Sequence, residues 1–217
     1  MRKKAKKSRI IFVFLIIAIL SGILVGNFMS KPIVCIDAGH GGNDVGAILE
    51  SENRYEKDDT LNVALLVKEK LENQGITVIL TRNSDTYVSL EKRAQKANFL
   101  KADLFVSIHR NSAKSGDGVE IWIGSEKNEE SEQLANNILQ NLDKNKIQTN
   151  RGVKAGTIEN SNKDYYVNKY TNMPSCLIEL GFISNKTDNK LFDSNIDDYA
   201  ESITNGIFKS IEKTNKR

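Results

Sequence analysis

The sequence is short of several residue types that would each announce a class of protein. Of its 217 residues, two are histidine, two cysteine and two proline. Two cysteines do not make a disulfide framework. Cys35 and Cys176 each lie in an apolar run and read as buried free thiols rather than as an extracytoplasmic bridge. Lys31 and Pro32 interrupt the apolar stretch before Cys35, which excludes a lipid anchor on that thiol. Two prolines leave no Pro-rich linker, and the body shows no internal repeat or second domain. There is no G-x-G-x-x-G and no P-loop Gly-Lys-Ser/Thr, so the glycine-rich stretch GHGGNDVGA does not read as a phosphate cradle. No H-E-x-x-H occurs, which excludes a zincin that presents both metal ligands on one helix. Two histidines also leave none for a second metal or an oxyanion clamp.

Charge of one sign is missing at the start of the chain. The first 30 residues hold no acid, while Arg2, Lys3, Lys4, Lys6, Lys7 and Arg9 make a basic tip. Beyond the tip, the net charge of +3 becomes an excess of acid, 28 acidic against 25 basic side chains. Such a body has no basic face for nucleic acid, so no nucleic-acid partner is expected. Residues 10–30 carry no charge at all and are almost wholly apolar. About 20 helical residues cross a hydrocarbon core, and flanking cations stay on the cytoplasmic side. The expected division is a basic cytoplasmic tip at 1–9, a transmembrane anchor at 10–30 and a single extracytoplasmic domain at 31–217. A cleaved signal segment is the alternative. The run is long for one and no A-x-A-like site precedes Lys31, although Ser21, Gly22 and Gly26 are small enough for a peptidase.

The body alternates two periodicities. Apolar runs at Ile33–Asp37, Ile76–Leu80, Leu104–Ile108, Val119–Ile123 and Cys176–Leu180 read as strands buried on both faces. Helical stripes run between and after them: Leu61, Ala64, Leu65, Lys68 and Leu71; Leu90, Ala94 and Ala97; Leu134, Ile138 and Leu142; Ala200, Ile203, Ile207 and Ile211. The polar stretch Ser125–Asn162 is expected to end in surface loops. The pattern predicts an α/β fold with a mainly parallel sheet flanked by helices.

In such sheets, ligands gather at the carboxyl ends of the strands. The first run ends at His40, the third at His109 and the last at Glu179. A His₂-carboxylate metal site must use both histidines, and its third ligand must be an acid near the same edge. Asp44, Glu50, Glu52, Glu56 and Asp58 are the candidates. Glu56 opens the first body helix, where helical structure fixes geometry, whereas Glu50 and Glu52 read as solvated. Glu179 ends an apolar strand, and a carboxylate buried there needs a partner or a function. Desolvation would raise its pKa toward that of a useful general base. Arg82 and Arg93 are the competing partners for it. Glu120, alternating with apolar neighbours, is expected to point outward or to support the site from behind.

The stretches IDAGHGGNDVGA, YEKDDTLNVALLVKEKL, VILTRNSD, LEKRAQKAN, ADLFVSIHRNS, GVEIWI, RGVK and MPSCLIELGFISN occur in this order between Pro32 and about Lys213. Together they resemble the zinc-dependent N-acetylmuramoyl-L-alanine amidases of the Amidase_3 family. The resemblance implies a twisted, phosphorylase/hydrolase-like sheet and one Zn2+ ion held by His40, Glu56 and His109. It also implies that Glu179 is the catalytic carboxylate and peptidoglycan the substrate. Arg110 and Ser112 depart from it, since the family more often has small residues there. Only 27 residues separate GVEIWI from RGVK, room for one ordinary helix rather than an inserted plug. With no appended wall-binding repeat in these residues, the resemblance narrows to the sporulation-specific type that trims cortex peptidoglycan toward muramic-δ-lactam. An accessory or activating protein is then the expected regulator. Three other readings compete: an inactive wall-binding protein, another zinc peptidase or deacetylase, and a membrane scaffold.

Overall fold

The computed structural model describes residues 31–126 and 128–214. The basic tip and the apolar run at 10–30, with the anchor expected there, lie outside the described residues. Among those described, no helix is long and apolar enough to cross a membrane.

The body from Pro32 onward is one unit built on a six-stranded sheet. Its elements run β1 (Ile33–Ala38), β2 (Ile48–Leu49), β3 (Arg54–Tyr55), α1 (Glu56–Asn73), β4 (Thr77–Leu80), α2 (Leu90–Phe99) and β5 (Leu104–Asn111). There follow β6 (Val119–Ile123), α3 (Glu129–Lys144), β7 (Asn150–Ala155), α4 (Tyr166–Tyr170), β8 (Ser175–Phe182), α5 (Lys186–Ser194) and α6 (Ile196–Thr214). The sheet order is β4-β1-β5-β8-β6-β7, with β2 and β3 paired apart from it. Strands β4, β1, β5 and β8 are mutually parallel, β6 runs antiparallel to β8, and β7 is parallel to β6. The sheet is therefore mostly parallel, as expected, with a reversed pair at one edge.

All five expected strands form, and β5, β6 and β8 are buried on both faces. Alternation divides their side chains between two cores. On one face Val34, Ile36, Val106, Ile108, Ile178 and Ile121 pack under α1, α3 and α6. On the other face Cys35, Phe105, Leu177 and Trp122 form a smaller cluster with Ala97 of α2 and Val167 of α4. Cys35 and Cys176 are buried free thiols in different clusters. In α1 the buried stripe is Thr60, Val63, Ala64, Val67 and Leu71, whereas Leu65 is exposed and Lys68 half-buried. The register of that helix is thus one position away from the expected stripe at those two residues. Gly75, at φ +81°, lets the chain leave α1 for β4, as the glycine after Asn73 and Gln74 suggests.

Strand β7 and the short α4 and α5 are not among the expected elements. Strand β7 (NRGVKA) is an edge strand with two exposed and four half-buried residues, so it lacks a hydrophobic signature. The polar stretch that contains it also carries α3, whose Leu134, Ile138 and Leu142 are buried as the stripe predicts. That helix packs against α6 on the face away from the small cluster.

Candidate active site

Three separate segments converge at the carboxyl ends of β1 and β5. Strand β1 ends at Ala38, and Gly39 and His40 follow it into a tight turn closed by reciprocal Gly41–Asp44 backbone hydrogen bonds (2.8 and 3.1 Å). His40 itself holds φ 61°, a left-handed conformation that is rare for a residue with a side chain and collects at functional sites. Gly39 is not in that region. Its role is clearance, because a Cβ there would lie 2.4 Å from Cε1 of the His109 ring. Two buried arginines hold the turn by its carbonyls. Arg82 Nη2 donates to Gly39 O (2.8 Å), and Arg93 donates to Ala38 O and His40 O (each 2.6 Å).

Glu56 is the first residue of α1, so helical structure sets its position, as the sequence pattern expected. Although α1 packs on the far face, its N-terminus reaches the sheet edge. Glu56 Oε1 lies 2.9 Å from His109 Nδ1 and 3.2 Å from His40 Nε2, and it accepts the Arg110 backbone N–H at 2.9 Å. Its Oε2 accepts the Ala47 N–H at 2.9 Å. Burial alone would raise the Glu56 pKa, but hydrogen bonds and charge from His109 and His40 hold it far below the usual carboxylate range. Burial would likewise lower His40, yet the Glu56 and Asp44 carboxylates raise it above its ordinary value. His109 stands within β5, two residues before Asn111, and Glu179 within β8, three before Phe182, rather than at the strand ends expected for them.

Of the five acids considered for a third ligand, only Glu56 faces both rings. Asp44 Oδ1 instead takes the outer nitrogen, His40 Nδ1, at 2.8 Å. A carboxylate on the far nitrogen fixes the tautomer and ring plane of a metal-binding histidine. Glu50 and Glu52 are exposed in a short 3₁₀ turn, as expected. The ligand-capable atoms of His40, Glu56 and His109 lie within 4.8 Å of one another, a set that could hold one metal ion.

Glu179 sits beside them. It pairs in register with His109 across β5–β8, so both side chains share a sheet face. Its Oε2 is buried with no hydrogen-bond partner among the described residues. Neither arginine proposed as its rival partner reaches it: Arg93 pairs with Asp37 at 2.7 Å and Arg82 holds backbone carbonyls. Burial, reinforced by the negative charges of Glu56 and Glu120, pushes the Glu179 pKa well above the usual value. The residues border a cavity of about 380 Å³ whose rim carries Tyr87, Leu90, Ile158, Tyr165 and Tyr166. A larger cleft of about 890 Å³, between α4 and the start of α3, contains none of these four side chains.

Of the two placements expected for Glu120, outward or supporting the site from behind, the structure takes the second. Glu120 is fully buried next to Glu179 in the antiparallel β6–β8 register. There it accepts hydrogen bonds from Asn111 Nδ2 (2.9 Å), Trp122 Nε1 (3.1 Å), Arg151 Nε (2.7 Å) and Lys154 Nζ (2.5 Å). Arg82, Arg93 and Asp44 also support the site. The sequence pattern offers these residues in other roles, Arg82 and Arg93 as partners of Glu179 and Asp44 as a metal ligand, since nothing in it marks an arginine that folds back onto carbonyls.

Two half-buried, facing histidines, a bridging glutamate and an orphaned carboxylate on one sheet edge define a hydrolase-type site on a mostly parallel α/β scaffold. The chain belongs to the N-acetylmuramoyl-L-alanine amidase family Amidase_3, whose model matches residues 34–213. It is therefore a peptidoglycan amidase directed at the bond between N-acetylmuramic acid and L-alanine. It is similar to the uncharacterized protein YqiI of Bacillus subtilis, 41% identical with 80% of this chain and 82% of YqiI covered. It is 37% identical to the amidase LytC of the same organism over 76% of this chain, but spans only 33% of LytC. Among solved structures, an N-acetylmuramoyl-L-alanine amidase from Clostridium difficile 630 superposes with a TM-score of 0.78 at 34% identity, covering 84% of this chain and 97% of that one. The CwlD amidase of Clostridioides difficile, solved with the GerS lipoprotein, gives 0.76 at 31% identity over 84% and 99%.

Proposed function

We propose that the chain is a single-zinc amidase of spore-cortex peptidoglycan. In this reading residues 10–30 anchor it, the N-terminus is cytoplasmic and the catalytic domain is extracytoplasmic. The observation that carries the reading is the pairing of the His40–Glu56–His109 cluster with a buried Glu179, on the neighbouring strand, whose Oε2 has no hydrogen-bond partner among the described residues.

The donor set fits zinc, which favours imidazole nitrogen and carboxylate oxygen and keeps an open position in catalytic sites. His40, Glu56 and His109 would hold it. Bound there, zinc supplies Lewis acidity, which makes a water easier to deprotonate and draws charge from the amide carbonyl. The remaining chemistry belongs to the chain. Glu179, raised toward the operating pH by burial, takes the water proton on its unpartnered Oε2 and returns it to the leaving alanine nitrogen. Asp44 keeps the His40 ring in one tautomer, and Arg82 and Arg93 keep its backbone in place. The apolar and aromatic rim sheds water around the scissile amide.

An inactive wall-binding protein would have no use for an orphaned buried carboxylate beside the histidine pair. Among the described residues, the one helix between β6 and β7 packs on the opposite face, which supports an unplugged site. The likeness to CwlD, solved with a lipoprotein, supports both the cortex assignment and an accessory protein.

The test is digestion of purified peptidoglycan by the full-length chain with zinc, followed by mass spectrometry. Released stem peptides with a free L-alanine amino group are expected, and sugar-linked fragments alone would overturn the reading. Glu179→Gln should keep zinc while losing roughly 10²–10⁴-fold in turnover, whereas His109→Ala should lose both. Full zinc retention by His109→Ala would refute the ligand assignment. Spores of a deletion strain should lack muramic-δ-lactam, and membrane fractionation with external protease should place the domain outside.

A further inference from the structure

The RGVK motif lies outside the metal cluster, yet the fold brings it to the same face. In a regular strand, positions three apart face opposite sides of the sheet. Arg151 and Lys154 are three apart, and both nonetheless reach Glu120 Oε2, at 2.7 and 2.5 Å. The β6–β7 register explains how. Val119 faces Asn150 and Ile121 faces Val153, so β7 holds one extra residue opposite β6. Gly152 in that stretch has φ +87°, the left-handed glycine of a β-bulge. The bulge re-aims one side chain so that both cations converge on one buried carboxylate.

The pair is also fixed against rings: the Arg151 guanidinium lies 5.1 Å from the Phe182 centroid and the Lys154 ammonium 5.1 Å from that of Trp122. Each side chain keeps about a third of its surface exposed, while Glu120 is wholly buried. One cation neutralises Glu120, so the second is a surplus positive charge presented to solvent. Glu120 stands directly beside Glu179 in the register, and Asn111, which hydrogen-bonds Glu120, lines the active-site cavity.

We propose that Arg151 and Lys154 form a subsite for a carboxylate of the peptide being released, which sets a preference for acidic stem peptides. The proposal rests on the amidase reading above, in which the group leaving from Glu179 is a peptide. Two strand spacings of about 4.8 Å separate β8 from β7, and a residue spans at most about 3.6 Å. The carboxylate recognised thus belongs to a residue two or three positions from the cleaved bond. No charge other than this surplus cation is needed to read it, and the aromatic backing holds both donors at low conformational cost.

The experiment compares two synthetic muropeptides that differ only in carrying free carboxylates or carboxamides on the stem peptide. With the full-length zinc-loaded chain, the free-acid substrate should show a KM about tenfold lower, as for a charge-assisted hydrogen bond. That ratio should collapse toward one in Arg151→Gln and in Lys154→Gln, each of which leaves one cation for Glu120. The charge-keeping Arg151→Lys and Lys154→Arg should retain it. Absence of a preference in the parent chain would overturn the subsite, as would a preference kept by both glutamine variants or lost equally by the charge-keeping ones. Cleavage of neither substrate by the parent chain would instead overturn the amidase reading and the subsite with it.

Discussion

Replacing Arg93 by methionine removes the guanidinium that ties α2 to the end of β1 while keeping a long apolar stem. Arg93 is 2% exposed and donates to Val88 O (2.9 Å), Asp37 Oδ1 (2.7 Å), Ala38 O and His40 O. Asp37, 1% exposed, would keep its hydroxyl donors Thr81 and Ser107 at 2.6 Å each but lose its ion-pair partner. Removing one member of a buried pair costs about 3–5 kcal/mol, mostly because the other charge is left uncompensated. At about 2–4 °C per kcal/mol for a domain of this size, the melting temperature should fall by roughly 6–20 °C. The pH dependence gives a second reading. Burial would raise the Asp37 pKa, but Arg93, Ser107 and Thr81 hold it below the ordinary value. A depressed carboxylate contributes stability that is present above its unfolded pKa and is lost as pH falls through the folded one. Without Arg93, burial dominates and Asp37 protonates more readily, so the variant's deficit should be largest near pH 7 and shrink toward pH 4.5. Urea denaturation of parent and variant at pH 7, 5.5 and 4.5 measures both quantities. A deficit below about 1 kcal/mol at pH 7, or one that is constant with pH, would refute the assignment of this pair as the anchor of the His40 turn.

Gly39→Ala should displace the His109 ring, because the new methyl would lie 2.4–2.8 Å from three ring atoms. Zinc affinity measured against a chelator should drop roughly 10–100-fold, and unaltered affinity would show that the ring can retreat freely. Activity should fall on acidification with a limb centred above the usual carboxylate pKa of about 4.3, since Glu179 must be ionised to accept a proton and burial raises it. A limb in kcat/KM at or below pH 4 would contradict that role. Both thiols should resist a thiol reagent in native buffer, because burial pushes Cys35 and Cys176 far up, and react only in denaturant. Rapid native labelling of either one would place it at the surface.

The parts of the fold that were legible in the sequence are those whose burial is two-sided. Strands β1, β5, β6 and β8 are continuous apolar runs because helices cover both faces, and a run of that kind is hard to mistake. Strand β7 pairs along one edge only and carries Arg151 and Lys154 toward Glu120, so its composition is that of a loop. The direction of β6 was equally hidden, because nothing in GVEIWI encodes whether it runs with or against β8. The convergence of His40, His109 and Glu179 was legible because parallel strands deliver their ends to one edge. Glu56 was legible as a helix start. Asp44, one of the five candidate acids, sits one nitrogen too far away, a distinction that only the turn at Gly41–Asp44 decides.

The sheet's two faces explain why one carboxylate in this site is left alone. Asp37, Ser107, His109, Glu179 and Glu120 all occupy one face across four neighbouring strands, by the registers Asp37–Ser107, His109–Glu179 and Glu120–Glu179. A row of polar groups in a core is costly unless each is matched. Asp37 is matched by Arg93, Thr81 and Ser107; Glu120 by four donors; and Glu56 by both rings and two backbone amides. Arg110, which could have neutralised Glu179, points to the opposite face, where it pairs with Asp59 at 2.6 Å under the Phe192 ring. The chain thus sets a cation against every acid of the row except Glu179. A missing partner in an otherwise fully matched row is what a group reserved for an incoming proton requires, and it separates Glu179 from its buried neighbours more sharply than its depth does.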